Sequence, residues 1–112
     1  MPKSRKTQTC PVEVTLLVVA GRWKVLVLHH LLEGTLRFNE LHRHVHEATP
    51  RTLAKQLREL ERDGILRRKV FPEVPPRVEY SLTRLGRSLE PILRAMHDWG
   101  DAYAHRVPAR EA

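Results

Sequence analysis

The sequence predicts a mainly α-helical fold with one small β-hairpin, an α+β arrangement within a single domain. The chain has 112 residues, of which 41% are hydrophobic, and this suits one domain with its own core. Apolar residues recur at helical spacing in five segments, whereas two short strand-like runs flank a loop that contains three prolines. No apolar run approaches the roughly 20 residues that a membrane helix needs, so we expect a cytoplasmic protein with no membrane partner.

The first two helices are predicted over residues 12–20 and 23–32. Pro11 is well placed at the start of the first helix, where its missing N–H would have no partner, and Gly21 is a suitable end. The β-branched residues of this segment would also suit a strand, but the start signal favours a helix. The second helix is apolar on nearly all sides, which predicts burial on more than one side, and Gly34 closes it.

A short strand over residues 35–38 and two further helices follow. Asn39 is expected to cap the third helix, because its side chain can accept a hydrogen bond from a backbone N–H of the first turn. The fourth helix is predicted to run from residue 50 to about residue 63, with Thr49 as its N-cap, and to stop at Gly64. A tight polar turn separates these two helices.

Two strands, over residues 65–70 and 78–82, form the predicted hairpin. The loop between them should be stiff and protruding, because its three prolines forbid regular pairing. Thr83 is a suitable N-cap for one long last helix whose apolar residues recur at helical spacing. Pro91 removes a backbone hydrogen bond within that helix, so we expect a kink there.

The chain is basic, with a formal net charge of +7. Residues 1–9 carry three positive charges and no acidic group, and we expect a flexible arm here, ahead of a domain that spans residues 10–106. Residues 107–112 are expected to fray. A further excess of positive charge lies in residues 50–82 and favours association with nucleic acid, although a basic protein without such a partner is the alternative.

Two short helices joined by a tight turn and followed by a hairpin are typical of a winged helix-turn-helix, whose second helix enters the DNA major groove. In that helix, Leu53, Leu57 and Leu60 form an apolar face, and long hydrogen-bond donors lie opposite. The residues expected to read base edges are Arg51, Thr52, Lys55 and Gln56. The residues expected to contact the DNA backbone or the minor groove are Thr49, Arg58, Arg68, Lys69 and Arg77.

Each of these basic segments also has a simpler explanation. The fourth helix could be an ordinary solvated helix in which Lys55 and Glu59, four residues apart, neutralise each other. The charged hairpin could merely protect its own edge from pairing. Strand alternation places Arg67 and Lys69 on one face and Arg68 on the other, so at least one basic group should face DNA.

Several motifs together resemble the HxlR family of bacterial winged helix-turn-helix regulators. The motifs that carry the resemblance are CPVE at residues 10–13, GRWK at 21–24, RFNEL at 37–41, LRELERDG at 57–64, PPRVEYSLT at 75–83, Gly86 and Trp99. The resemblance covers about residues 10–105. It implies a sequence-specific transcriptional regulator that binds double-stranded DNA, at a pseudo-palindromic operator, as a homodimer.

The resemblance also implies that the N-terminal and C-terminal helices are dimerisation helices, and both are more apolar than a monomer of this size needs. The interface residues that we expect are Val12, Leu16, Val19, Trp23, Leu89, Leu93, Met96, Trp99 and Tyr103. Part of the apolar stripe in the last helix must also belong to the core of a single chain.

Cys10 is the one cysteine of the chain, so neither an intramolecular disulfide nor a four-cysteine zinc site can form. It precedes a helix N-terminus and follows Lys3, Arg5 and Lys6, and both features favour the thiolate form. The resemblance implies a candidate redox sensor, since some members of the family sense oxidants through a cysteine at this position. The alternative is a small buried apolar residue.

No metal site, cofactor or enzyme active site is predicted. His42 and His46 are four residues apart, but no carboxylate or second cysteine completes an obvious site. The chain has no nucleophile elbow, phosphate-binding glycine loop or zinc-protease motif. The alternative function is a winged-helix protein-interaction module that does not read DNA. A small molecule is a further candidate effector.

Overall fold

The computed structural model describes residues 10–109, so the predicted arm over residues 1–9 and residues 110–112 of the predicted tail lie outside the described residues. The elements, in chain order, are α1 (Pro11–Val19), α2 (Lys24–Leu31), β1 (Leu36–Arg37), α3 (Phe38–His44), α4 (Pro50–Arg62), β2 (Leu66–Phe71), β3 (Arg77–Leu82), α5 (Arg84–Arg87) and α6 (Glu90–Tyr103), followed by a 3₁₀ turn (Ala104–Arg106). The predicted fold, mainly α-helical with a small sheet, is confirmed. Over this part of the chain, no helix combines the length and apolar character that a membrane crossing requires.

The three strands form one antiparallel sheet in the order β1-β3-β2. Strands β2 and β3 are the predicted hairpin, with Leu66 opposite Leu82 and Phe71 opposite Arg77. The proline-containing loop between them is unpaired, as predicted. Strand β1 adds a short third strand, in which Leu36 lies opposite Tyr80.

The core lies where α2, α3 and α4 meet the sheet. The largest fully buried side chains are Val27, Leu28, Leu31, Leu41, Leu53, Leu57 and Leu60. Each buried leucine stabilises the fold by roughly 1.5–3 kcal/mol relative to an exposed one. The three α4 leucines of this set recur at i, i+4 and i+7, so the predicted apolar face of α4 is the face that packs on the core.

The prediction that Asn39 caps α3 is wrong. The helix begins one residue before it, at Phe38, with Arg37 as the N-cap. The Glu40 carboxylate accepts a hydrogen bond from the Arg37 backbone N–H at 2.7 Å. This hydrogen bond is the contact that the third helical residue makes in a capping box, and it fixes the start of the helix at Phe38. Asn39 therefore lies inside the first turn, where it is exposed.

The predicted single kinked last helix is also wrong, because the segment forms two separate helices. Thr83 caps the first of them as predicted, since its hydroxyl accepts the Gly86 N–H at 3.0 Å. The chain then breaks at Ser88 and Leu89, and Pro91 falls in the first turn of α6. A proline in the first turn loses no hydrogen bond within the helix, so the break replaces the kink.

Candidate nucleic-acid interface

The N-terminus of α4 is built by a threonine cap. The Thr49 hydroxyl accepts a hydrogen bond from the Thr52 backbone N–H and donates one to the Thr52 hydroxyl, both at 3.0 Å. Pro50 occupies the first helical position, as the sequence predicts. The Thr49 hydroxyl therefore satisfies one backbone donor of the first turn and also fixes the Thr52 side chain beside it.

The face of α4 opposite its buried leucines carries two of the four predicted base readers, Arg51 and Lys55, together with Arg58. Arg51, Lys55 and Arg58 are exposed there, whereas Thr52 and Gln56 are half-buried at the edges. The helix thus presents long donors from its first turn onward, on the side that the core leaves open. This is the arrangement that a major-groove reading helix requires.

One carboxylate, that of Glu59, lies beside these basic groups and has two lysine neighbours. The Lys24 Nζ lies 2.7 Å from Glu59 Oε1, and the Lys55 Nζ lies 3.9 Å from Glu59 Oε2. The hydrogen bond from Lys24 holds the pKa of the Glu59 carboxyl below its usual value, and the charges of Lys24 and Lys55 act in the same direction. The closer partner of Glu59 is therefore Lys24, and the Lys55 side chain remains 64% exposed.

The hairpin alternates as predicted, and Arg68 is the basic residue that faces α4. It lies opposite the buried Tyr80 and lines a cleft of about 360 Å³ together with Ala54, Arg58 and the acidic Glu61 of α4. Arg67 and Lys69 occupy the other face of the strand. Arg58 of α4 and Arg68 of β2 were both predicted to contact the DNA backbone or the minor groove. The structure brings these two residues to one cleft.

Arg77, at the loop end of the hairpin, forms ion pairs and an aromatic contact with neighbouring residues of the same chain. Its guanidinium lies 3.1 Å from a Glu73 carboxylate oxygen and 3.6 Å from one of Glu79. Its Cζ is 3.9 Å from the Phe71 ring centroid, and the Lys69 Nζ is 4.9 Å from the same centroid. The two cations therefore stack on one aromatic ring and stiffen the end of the hairpin.

The predicted interface residues divide into two groups. Val19 and Leu93 are buried in the core of the single chain, and Trp23 and Leu89 pack against that core. The exposed members are Val12, Leu16, Met96, Trp99 and Tyr103, each at least 40% exposed. The sequence reasoning left out two exposed apolar neighbours, Leu17 at 66% and Ile92 at 44%. We call these seven exposed residues of α1 and α6 the apolar surface.

Cys10 is exposed and occupies the N-cap position of α1. Its backbone carbonyl accepts the N–H groups of Glu13 and Val14 at 2.8 and 3.2 Å. The basic residues predicted to flank it, at positions 3, 5 and 6, lie outside the described residues. The thiol is thus accessible, and it stands at the start of a helix that carries part of the apolar surface.

The histidines take structural positions that the sequence did not predict. His42 donates from its Nε2 to the Ala48 carbonyl at 2.8 Å, which ties α3 to the turn before α4. The His30 ring stacks on that of His44 at 4.3 Å. Burial lowers the pKa of His30, and the nearby His44 and His29 add to this effect. Within residues 10–109, no group of three or more His, Cys, Asp or Glu side chains is arranged to hold a metal ion.

The sequence reasoning missed the ion pairs of Arg22, which lies between α1 and α2, and of Lys24, the first residue of α2. Arg22 pairs with Glu47 in the turn before α4, and Lys24, only 9% exposed, pairs with Glu59 on α4. A signal for the second pair was present, because a lysine on a helix that is apolar on nearly all sides needs an acidic partner from another element. Nothing local identified which acidic residue that partner would be.

Comparison of the sequence with known proteins identifies a family and similar regulators. The family model for HxlR-like helix-turn-helix proteins matches residues 18–108. The HTH-type transcriptional regulator YdeP of Bacillus subtilis (strain 168) is 52% identical over 103 residues, which are 92% of this chain and 80% of that relative.

Several solved structures of transcriptional regulators share this fold, and they include two regulators that were solved in a stated redox form. The redox regulator HypR in its oxidized form has a TM-score of 0.80 and 48% identity, covering 92% of this chain and 100% of that one. The reduced form of the transcriptional regulator YodB from B. subtilis has a TM-score of 0.73 and 33% identity, covering 89% and 99%. These matches include the helix-turn-helix, the hairpin and α6, and this chain therefore belongs to the HxlR-like helix-turn-helix family of transcriptional regulators.

Proposed function

We propose that this protein regulates transcription by binding double-stranded DNA sequence-specifically, as a homodimer on a pseudo-palindromic operator. The observation that carries the proposal is the orientation of α4, which packs its leucines on the core and presents Arg51, Lys55 and Arg58 outward. Family membership supports the regulatory role. The proposed activity is DNA binding without catalysis. The proposed location is the cytoplasm, because the chromosome of a prokaryotic cell lies there.

The proposed contacts divide into base readers on the first two turns of α4 and contacts to phosphates or the minor groove from its N-cap, its later part and the hairpin. Arg51, Thr52, Lys55 and Gln56 read base edges, because they lie in the first turns of the helix that enters the groove. The residues proposed to hold phosphates or the minor groove are Thr49, Arg58, Arg68, Lys69 and Arg77. Arg58 and Arg68 share a cleft and would bind neighbouring phosphates. Arg77 would have to exchange its carboxylate partners for DNA.

The dimer is proposed from the apolar surface. Seven large apolar side chains on α1 and α6 are at least 40% exposed, which is unfavourable for a monomer of this size. To reach two successive major grooves, a two-fold dimer through these helices has to hold its two copies of α4 about 34 Å apart. Operator symmetry would then mirror protein symmetry.

Base readout is tested with Arg51→Ala, in a salt titration against the DNA upstream of its own gene and a scrambled sequence. We expect the variant to lose about tenfold or more in operator affinity, because a base contact contributes roughly 1–3 kcal/mol of discrimination. Its affinity for scrambled DNA should change little. Arg106→Ala is the matched control, because it removes the same charge from the exposed 3₁₀ turn after α6.

Three other outcomes of this titration would contradict the proposed base readout or the proposed DNA binding. Equal losses on both DNAs would show that Arg51 contacts phosphate and does not read bases. Equal binding of the wild type to both DNAs would contradict sequence-specific recognition at that site. An absence of binding to either DNA at low salt would support the protein-interaction module instead.

Thiol oxidation at Cys10 is the proposed signal, with a small-molecule effector as the alternative. HypR is described as a redox regulator, and Cys10 of this chain is exposed at the start of an apolar-surface helix. With one cysteine per chain, oxidation must join two Cys10 thiols or form a mixed disulfide with a small thiol. In either case two thiols lose two protons and two electrons to an oxidant.

Cys10→Ser tests the thiol proposal. We expect diamide, added with a small thiol, to change operator affinity several-fold in the wild type and not in the variant. A reducing agent should restore the wild-type value, and intact-protein mass should show the mixed disulfide or the linked dimer. An unchanged response in Cys10→Ser would leave the small-molecule effector as the explanation.

A further inference from the structure

We propose that Lys24 is a positioning residue for DNA recognition, which holds Glu59 on α4 and so keeps Lys55 available to DNA. The inference rests on the proposed function of α4 as the reading helix. Lys24 itself lies at the start of α2, on the core side of α4, and takes no part in the proposed DNA surface.

The geometry places one carboxylate between two ammonium groups. Lys24 Nζ contacts Glu59 Oε1 at 2.7 Å, with both side chains largely withdrawn from solvent, at 11% and 25% exposure. Lys55 Nζ is 3.9 Å from the other oxygen and its side chain is 64% exposed. The Lys24 pair is the tighter and more buried of the two, so it governs where the carboxylate lies.

The charge balance explains what Lys24 supplies. The three groups together carry one net positive charge, and Lys55 is the member that presents it to solvent. Without Lys24, the Glu59 carboxylate would have Lys55 as its nearest cation, one helical turn away on α4. That pair would be neutral, and Lys55 would have to break it before contacting a base or a phosphate.

A second ion pair from the same segment supports the positioning role. Arg22, two residues before Lys24, pairs with Glu47 in the turn that precedes α4. The guanidinium of Arg22 also lies over the neighbouring Trp23 ring, 4.3 Å from its centroid. Residues 22–24 therefore contact the approach to the reading helix as well as the helix itself. Residues 22–24 also link α1 to α2, and α1 begins directly after Cys10.

The test is a double-mutant cycle for operator binding with Lys24→Met, Lys55→Ala and the combination. In the wild-type background, Lys55→Ala should lower operator affinity about tenfold, as expected for a base contact. In the Lys24→Met background the same change should cost less than about threefold, because Lys55 is already withdrawn. If Lys24 and Lys55 acted independently of each other, Lys55→Ala would lower operator affinity by the same factor in both backgrounds.

Two companion variants separate positioning from folding. Lys24→Arg preserves the ion pair and should retain the full tenfold effect of Lys55→Ala. Lys24→Met combined with Glu59→Gln removes the unpaired carboxylate, and it should restore that effect although Lys24 is still absent. A merely structural loss would not be rescued by deleting the acid. Thermal melts confirm that each variant is folded at the assay temperature.

A DNA-free measurement keeps the two proposals separable. The rate at which an amine-reactive acetylating reagent modifies Lys55, followed by mass spectrometry, should fall about threefold or more in Lys24→Met. If the wild type fails to distinguish operator from scrambled DNA, the proposed function fails, and the labelling rate still decides the role of Lys24. An unchanged labelling rate, or equal Lys55→Ala losses in both backgrounds, would overturn the positioning role.

Discussion

Gly86→Ala is expected to destabilise the fold by about 3 kcal/mol, because the added methyl group has no room. A Cβ at this position would lie 2.2 Å from the backbone carbonyl oxygen of Ile65, and a backbone atom cannot rotate away as a side-chain end can. The Thr83 backbone N–H donates a hydrogen bond to the same carbonyl oxygen at 3.0 Å, which holds the start of α5 against Ile65. The clash would push α5 away from the start of β2.

The measurement is urea or thermal unfolding of the two alanine variants Gly86→Ala and Gly100→Ala. Gly100 is the matched control, because it lies within α6 and a Cβ there would meet no atom within 4 Å. Gly100→Ala should stabilise the protein by roughly 0.5–1 kcal/mol, as expected for alanine in a helix interior. Gly86→Ala should lower Tm by more than about 10 °C. Equal melting temperatures for the two variants would contradict the close approach.

Trp99→Glu is expected to convert the proposed dimer into a monomer and to weaken operator binding about 100-fold or more. The indole is 59% exposed and packs on the Tyr103 ring at a centroid distance of 5.2 Å. In a two-fold interface each substitution occurs twice, so two unpaired carboxylates would be buried. A monomer could occupy only one half-site at a time.

Sedimentation velocity and operator binding check this prediction. Val74→Glu is the control for oligomeric state, because it adds the same charge at a fully exposed position of the hairpin loop and should stay dimeric. A wild type that sediments as a monomer at the concentrations of DNA binding would refute the proposed dimer. A dimeric Trp99→Glu would place the interface elsewhere than the apolar surface.

Local signals in the sequence were sufficient to predict α4. Thr49 and Pro50 begin α4 and Gly64 follows its end, where the structure gives a positive φ of 76°. Leucines at i, i+4 and i+7 predicted the buried face, and the opposite face then followed from helical geometry. The hairpin and the exposure of Arg51 and Lys55 could be predicted for the same reason, since each depends on neighbours a few residues away.

The errors arose where a longer-range contact competed with a local signal. Asn39 looked like a cap, but pairing of β1 with β3 extends the chain to Arg37, and α3 begins directly after it. Pro91 looked like a kink within one helix, but the chain breaks two residues earlier. There Gly86 packs against Ile65, and the Arg87 side chain donates to the Leu32 carbonyl at 2.9 Å.

The sequence by itself determined the helix-turn-helix, the hairpin and the basic face of α4, because their signals are periodic and local. Only the tertiary structure decided that Glu59 pairs with Lys24 more closely than with Lys55, and that Val19 and Leu93 belong to the core. A charged or apolar side chain finds its partner only after distant elements are packed together. The identity of an ion pair and the burial of an apolar residue at an end of the chain are therefore properties of the folded chain, whereas the two faces of an amphipathic helix follow from its neighbouring residues.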